Sequence, residues 1–243
     1  MHTVLQQEQA PYTAADSQVW SALYTRQFQA IASHAYRHFG TGILQLGLSA
    51  DQIPELTRLN ERLLALTGWK IYAVPGLIPN RSFFKLMVFR RFGATTWLRT
   101  KEQLDYLQEP DLFHDIFGHI PLLADPIIAD YLVGLARIAE RYIDQEEVVE
   151  QIARLYWYTI EFGLVQEGKD TRIYGAGILS SIGETAFALS PAANRQPFDL
   201  EQILETPYSK DKFQEVYFVL DSMEQLIGIP AALDRHLRGM YNE

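Results

Sequence analysis

Glu109-Pro110-Asp111-Leu112-Phe113-His114-Asp115-Ile116-Phe117-Gly118-His119-Ile120-Pro121 sets two histidines and two aspartates in a run otherwise dominated by apolar side chains. Pro110 and Asp111 suit a helix start, and Pro121 is expected to push Ile120 out of the α region and end the helix near His119. The two histidines lie five apart, so an ideal α-helix would point them about 140° away from each other. The segment therefore reads as a short, irregular helix with one histidine reaching from each end and Gly118 supplying slack. A single histidine in such a setting is ordinarily a core or surface residue with an unremarkable hydrogen-bond partner. Two of the chain's six crowded into one window point instead to a shared ligand.

Farther along, Glu161 has Trp157 four residues before it and Leu164 three after it, which puts its carboxylate at the border of a buried stripe. A buried charge needs a partner, either an arginine such as Arg172 or a divalent cation. Two imidazoles and one carboxylate on one face of a metal leave three coordination positions open, the arrangement by which non-haem iron(II) oxygenases gather dioxygen and substrate. The same donors also suit zinc, so a zinc hydrolase is the rival enzyme class. Its common helix spaces the histidines four apart with a glutamate between them as base, a pattern absent here. A helical domain that binds an aromatic amino acid without turning it over is the non-enzymatic alternative.

The bulk composition fits small-molecule chemistry. With 243 residues, 48% of them apolar, the chain can bury a proper core as one domain, or one plus extensions. A net charge of −9 argues against nonspecific binding to nucleic acid or an anionic membrane, both of which need clustered Lys and Arg. There is no cysteine, so a metal site must come from His, Asp and Glu. Met1 to Tyr12 is polar and lacks the apolar run of a secretory signal, and no stretch is long enough to span a bilayer. A cytoplasmic protein is expected.

Helical signals dominate, which predicts a mainly α fold with a small β-sheet. Asp16 is read as the cap of a helix striped by Trp20, Tyr24, Phe28, Ile31 and Ala35, with Gly40-Thr41-Gly42 as its stop. Pro54 suits a first helical residue ahead of Leu56, Leu59, Leu63 and Leu66, with Gly68 as terminator. Trp69 to Val74, closed by Pro75-Gly76, reads as a strand, and Arg91 to Leu98 as another, expected to pair with something similar. Asp125-Pro126 opens a long helix with Tyr131, Leu135, Ile138 and Tyr142 inward. Val148 to Leu164 forms another, and Asp221 with Glu224 resembles a capping box for a short final helix.

The segment from Glu109 to Pro121 quoted above, Tyr156-Trp157-Tyr158-Thr159-Ile160-Glu161-Phe162-Gly163-Leu164, and Tyr174-Gly175-Ala176-Gly177-Ile178-Leu179-Ser180-Ser181-Ile182-Gly183-Glu184 resemble, in this order, the motifs of the pterin-dependent aromatic amino acid hydroxylases. The bacterial phenylalanine 4-hydroxylases look closest. The likeness runs from about Trp69 through the stretch Phe213 to Met223 and is weak over the first 50 or so residues.

The resemblance implies a single catalytic domain of packed helices with a small sheet, residues 49–243, preceded by a helical extension, residues 1–48, packed on it. It puts His114, His119 and Glu161 on the iron ligands. Arg99 falls on the arginine that clamps the substrate carboxylate, a role suited to a bidentate fork. Pro110 and Trp157 fall on the aromatic substrate pocket, and Ser180 on a residue that hydrogen-bonds near the substrate and an iron-ligand histidine. For the pterin it implies Gly76 and Ile78 in a loop meeting the ring, Phe83 stacking on it, and Asp115 reaching it through water.

The implied cofactors are iron(II) and a tetrahydropterin, with dioxygen as co-substrate. The implied reaction is ring hydroxylation of phenylalanine to tyrosine, with tryptophan or another phenylalanine position next. No regulatory domain or tetramerisation helix is expected, hence a monomer whose partner is the small-molecule substrate. Gly93 stands where animal enzymes carry a pterin-side histidine, and Lys210 falls near a position associated with substrate preference. Because ligand imidazoles must be neutral, metal loss is expected below roughly pH 6.

Overall fold

A computed structural model describes residues 11–105, 109–210 and 212–241. Most of the polar start from Met1 to Tyr12, and with it the first ten residues of the expected extension, lies outside the described residues, as do Asn242 and Glu243.

The described residues begin with α1 (Ala14–Ile31), α2 (Arg37–Leu46) and α3 (Leu56–Thr67), then β1 (Lys70–Val74) and α4 (Asn80–Val88), leading to β2 (Arg91–Thr95). The cap of α1 is Thr13 and not Asp16: Asp16 is the third helical residue and closes a reciprocal capping box with Thr13. The helix ends at Ile31, with Phe28 exposed, and Gly40-Thr41-Gly42 lies inside α2, because burial of Phe39, Gly42, Ile43 and Leu46 outweighs glycine's poor helix propensity. Likewise α3 starts at Leu56, two residues after Pro54, and stops at Gly68 in the left-handed region as expected.

The two strands expected from the sequence pair with each other, in parallel register from Lys70 opposite Arg91 to Val74 opposite Thr95, with α4 as the crossover; the second ends at Thr95, short of Leu98. A second sheet was not legible in the sequence. It has the order β4-β3-β6-β5, from β3 (Leu164–Glu167), β4 (Asp170–Ile173), β5 (Arg195–Pro197) and β6 (Tyr217–Leu220). Its strands are three or four residues long, too short to show a period.

The remaining helices are α5 (Pro126–Arg141), α6 (Glu146–Tyr156), α7 (Ala176–Leu179), α8 (Ile182–Ala188), α9 (Leu200–Glu205) and α10 (Gln225–Tyr241). The expected helix from Val148 to Leu164 is cut at Tyr156 by a π-turn, Trp157–Glu161, after which Leu164 enters β3. The final helix is long, 17 residues, and Asp221 is braced by the Gln225 side chain in place of a box with Glu224.

One apolar core runs from Val19 to Leu237. Helix α1 belongs to it: Trp20 meets Phe113 edge to face at 5.5 Å, and Tyr24 meets Phe117 at 5.3 Å. Phe113 stacks on Phe117 at 4.8 Å, so α1 packs directly on the histidine motif.

Asp125 opens α5 as expected, accepting from Ile127 N at 2.9 Å, with Pro126 in the first turn. Its second oxygen accepts from Tyr36 Oη at 2.9 Å and lies 2.8 Å from His38 Nδ1. Truncating this buried carboxylate removes the cap and strands the tyrosine hydroxyl. Asp125→Ala should lower the melting temperature by about 5–10 °C in a thermal scan at neutral pH. An unchanged midpoint would show that the cluster does not brace α2 against α5.

Candidate metal centre

His114–His119 is a π-helix, not an irregular α-turn. Its i→i+5 hydrogen bonding sets residues five apart nearly one above the other, which resolves the 140° conflict of an α-helix. The two Nε2 atoms stand 3.1 Å apart. Ile120 keeps right-handed helical angles, φ −64° and ψ −37°, and Pro121 leads into a 3-10 turn, Leu122–Ala124. The expectation that Pro121 drives Ile120 out of the α region is thus corrected: both residues sit in a tightly packed bend, with Ile120 fully buried, and packing overrides the local preference.

Glu161 closes the second π-turn and brings its carboxylate to the same point. Oε1 lies 3.2 Å from His119 Nε2 and Oε2 lies 3.7 Å from His114 Nε2. Arg172, the alternative partner, instead pairs with Glu167 and Asp170. The three donors offer one atom each within 4.8 Å of one another. Donors about 2.1 Å from one ion and at right angles around it stand roughly 3 Å apart, so this spacing fits a single divalent cation.

The surroundings prepare the donors. Ser180 Oγ donates to Ala176 O at 2.8 Å, so its lone pair must accept from His114 Nδ1, also at 2.8 Å. That bond fixes the tautomer and leaves the Nε2 lone pair pointing at the centre. Burial pushes His114 down to about 4, so it is neutral across the physiological range. Burial also disfavours a charged His119, but the Glu161 carboxylate beside it outweighs that and holds its proton above the ordinary histidine range. Burial raises Glu161, and the two imidazoles more than reverse this, leaving it at about 2. The Tyr156 hydroxyl, which the sequence did not single out, is buried beside this carboxylate, and burial together with the neighbouring negative charge holds its proton well above the ordinary tyrosine range.

A cavity of about 150 Å³ opens on the three donors. Among its walls are Gly76, Ile78, Phe83, Asp115, Pro110 and Trp157, all named from the sequence, together with Gly93 and Lys210. Sequence reasoning missed Tyr208, which stacks on Trp157 at 4.3 Å, and Thr95, whose N–H and hydroxyl both donate to Asp115 Oδ2. Burial lifts Asp115 to about 7, against the pull of His119 and Thr95.

Arg99 and Ser180 do not line the cavity; they stand behind it. Arg99 is 8% exposed, and its Nε and one Nη donate to Asp111 at 2.8 and 2.9 Å. Asp111, which the sequence offered only as a helix start, also accepts from the His114 N–H at 3.1 Å and so joins the arginine to the metal motif.

Against known proteins, residues 6–242 match the model of the biopterin-dependent aromatic amino acid hydroxylase family. The chain belongs to this family. It is 48% identical over 223 residues to the phenylalanine-4-hydroxylase of Chromobacterium violaceum, covering 90% of this chain and 74% of the relative. It is 49% identical over 216 residues to that of Ralstonia nicotianae, covering 88% and 69%. The C. violaceum enzyme bound to cobalt superposes with a TM-score of 0.91 at 46% identity, over 95% of this chain and 84% of that one. The same enzyme with iron(III) and the oxidised cofactor 7,8-dihydrobiopterin gives 0.90 at 47%, over 97% and 86%.

The hydroxylase chain's proton chemistry sets the pH window for metal. A protonated His119 bonds Glu161 and cannot ligate, so metal and proton compete there, with the Glu161 carboxylate strengthening the proton's hold above that of an ordinary histidine, about 6.5. In chelator-stripped protein titrated with a divalent cation, affinity should fall about tenfold per pH unit once His119 protonates. Ser180→Ala should lower affinity a further ~10–100-fold by freeing the His114 ring. Affinity flat from pH 8 to 5, or untouched by the Ser180 change, would contradict this account.

Proposed function

We propose that this chain is an iron(II)- and tetrahydropterin-dependent monooxygenase that converts L-phenylalanine to L-tyrosine. The observation that carries the reading is the convergence of His114, His119 and Glu161 at one wall of a cavity whose other walls include Phe83, Phe84, Phe92, Tyr156, Trp157 and Tyr208. The phenylalanine-4-hydroxylase relatives support the substrate. When bound, iron and reduced pterin supply the activation of dioxygen that no side chain can perform.

The protein's own work is binding and orientation. His114, His119 and Glu161 hold the iron, leaving its cavity side open. Gly76, Ile78 and Phe83 receive the pterin: Gly76 has no atom within 4 Å of where a Cβ would stand, so a flat ring can approach the backbone. Phe83 is held by edge contacts with Phe84 and Tyr156, at 5.7 and 5.1 Å, and presents its ring to the cavity. Asp115 reaches the pterin through water, held in place by Thr95.

Pro110 and Trp157 enclose the substrate ring. Arg99 is the clamp for the substrate carboxylate in this reading; Asp111 holds its Nε and one Nη, which leaves the other Nη to make that contact, and Ser180 acts through His114. Gly93 and Lys210 mark where the wall differs from animal enzymes. A monomer in the cytoplasm fits this reading, with residues 1–48 as an extension packed on a catalytic unit of residues 49–243. Among the described residues no helix is long and apolar enough to cross a membrane.

The test is to load the protein with iron(II) and supply tetrahydropterin, dioxygen and each aromatic amino acid in turn, identifying products by mass and retention. Tyrosine from phenylalanine should form only with all components present. Glu161→Ala should cut the rate at least about 100-fold. Tightly bound zinc with no pterin-dependent oxygen uptake would overturn the reading, and a hydroxylated tryptophan as the main product would revise its substrate.

A further inference from the structure

Glu184 closes the third sequence motif, yet nothing in the metal or cofactor reading uses it. Its carboxylate is 6% exposed, accepts from the Tyr217 hydroxyl, and receives the backbone N–H of Gln214 at 3.3 Å. Gln214 is itself 4% exposed, and its side chain points at the substrate wall. Its Oε1 accepts the indole N–H of Trp157 at 2.8 Å. Its Nε2 donates to Ser209 O at 3.0 Å and to Lys212 O at 3.4 Å. The amide can sit only this way round, because a flip would set N–H against indole N–H and oxygen against two carbonyls.

We propose that Gln214 is a positioning residue that fixes the aromatic wall of the substrate pocket, with Glu184 as its anchor. One amide ties the Trp157 indole to the segment that carries Tyr208 and Lys210. The Tyr208 ring lies over the indole at an interplanar angle of 19°, and both residues line the cavity. The half-buried indole N–H finds its acceptor in this amide, and that bond sets the plane of the ring. The substrate's aromatic ring then packs against a surface whose tilt is decided by a residue that does not touch it.

The inference rests on the hydroxylase reading, and the wild-type assay separates the two: no pterin-dependent product from wild type sinks that reading, whatever Gln214 does. Given wild-type activity, Gln214→Leu should raise the phenylalanine KM about tenfold, the cost of about one buried hydrogen bond. Tyrosine formed per tetrahydropterin consumed should fall, while the pterin KM and iron content stay at wild-type values. A merely structural role would lower stability and shift both KM values together.

Adding Gln214→Leu to Trp157→Phe, which has no indole N–H to hold, should change the phenylalanine KM little further. Fully multiplicative effects would overturn the proposal. A second measurement does not depend on the leucine variant folding: the Trp157 indole proton, identified by its loss in Trp157→Phe, should be protected from hydrogen exchange in wild type. Exchange at the rate of a free indole would also overturn it.

Discussion

Two nitrogens and a carboxylate held within 4 Å of each other in a largely buried wall are the constraint on which the rest of the structure depends. Left to themselves they are in conflict, since two imidazole lone pairs at 3.1 Å repel and a buried carboxylate is costly. A divalent cation turns the conflict into binding energy. Until it binds, His119 and Glu161 share a proton that offsets part of the cost. The price is competition between metal and proton, felt at His119 far more than at His114.

Holding such a cluster takes rigidity, and the aromatic packing supplies it. Trp20, Tyr24 and Phe39 press on the Phe113–Phe117 pair from three directions, so the π-turn that carries the histidines cannot relax toward an α-helix without opening the core. The polar side is held as firmly. Asp111 accepts from the Arg99 backbone N–H and two of its guanidinium nitrogens and from the His114 backbone N–H, so the Arg99 side chain and the start of the histidine turn share one carboxylate. A shift at one is felt at the other.

What could be read from the sequence follows from the range of the forces involved. Ligand identity was legible, because His114, His119 and Glu161 are chemically distinctive and their motifs are long. The two strands of the first sheet were legible too, as β-branched and aromatic runs, though their pairing and its parallel direction were not. The geometry was not. Spacing of five contradicts an α-helix, and nothing local announces a π-turn whose stability comes from Trp20 and Tyr24, more than 85 residues away in the chain. Helix limits failed where burial overrode propensity, as with Gly40 and Gly42 inside α2. Arg99 was named as a clamp, but its lock, Asp111, was read as a helix start because the pairing spans a loop. Gln214 carried no signal, since an isolated glutamine gives no hint that it will face an indole 57 residues distant.

The distance between the two ligand-bearing turns is set by neither turn. It is set by α7, wedged between them, and by glycines at its contacts. A Cβ on Gly118, inside the histidine turn, would stand 2.9 Å from Ala176 O, and one on Gly175, at the cap of α7, would stand 2.5 Å from Glu161 O. Backbone therefore meets backbone on both sides of the wedge, with no side chain available to yield. The same four-residue helix ends at Ser180, whose hydroxyl orients His114. One short element thus fixes both the separation of the imidazoles from the carboxylate and the tautomer of one imidazole. This explains why the stretch from Tyr174 to Glu184, which contributes no ligand, belongs with the two that do.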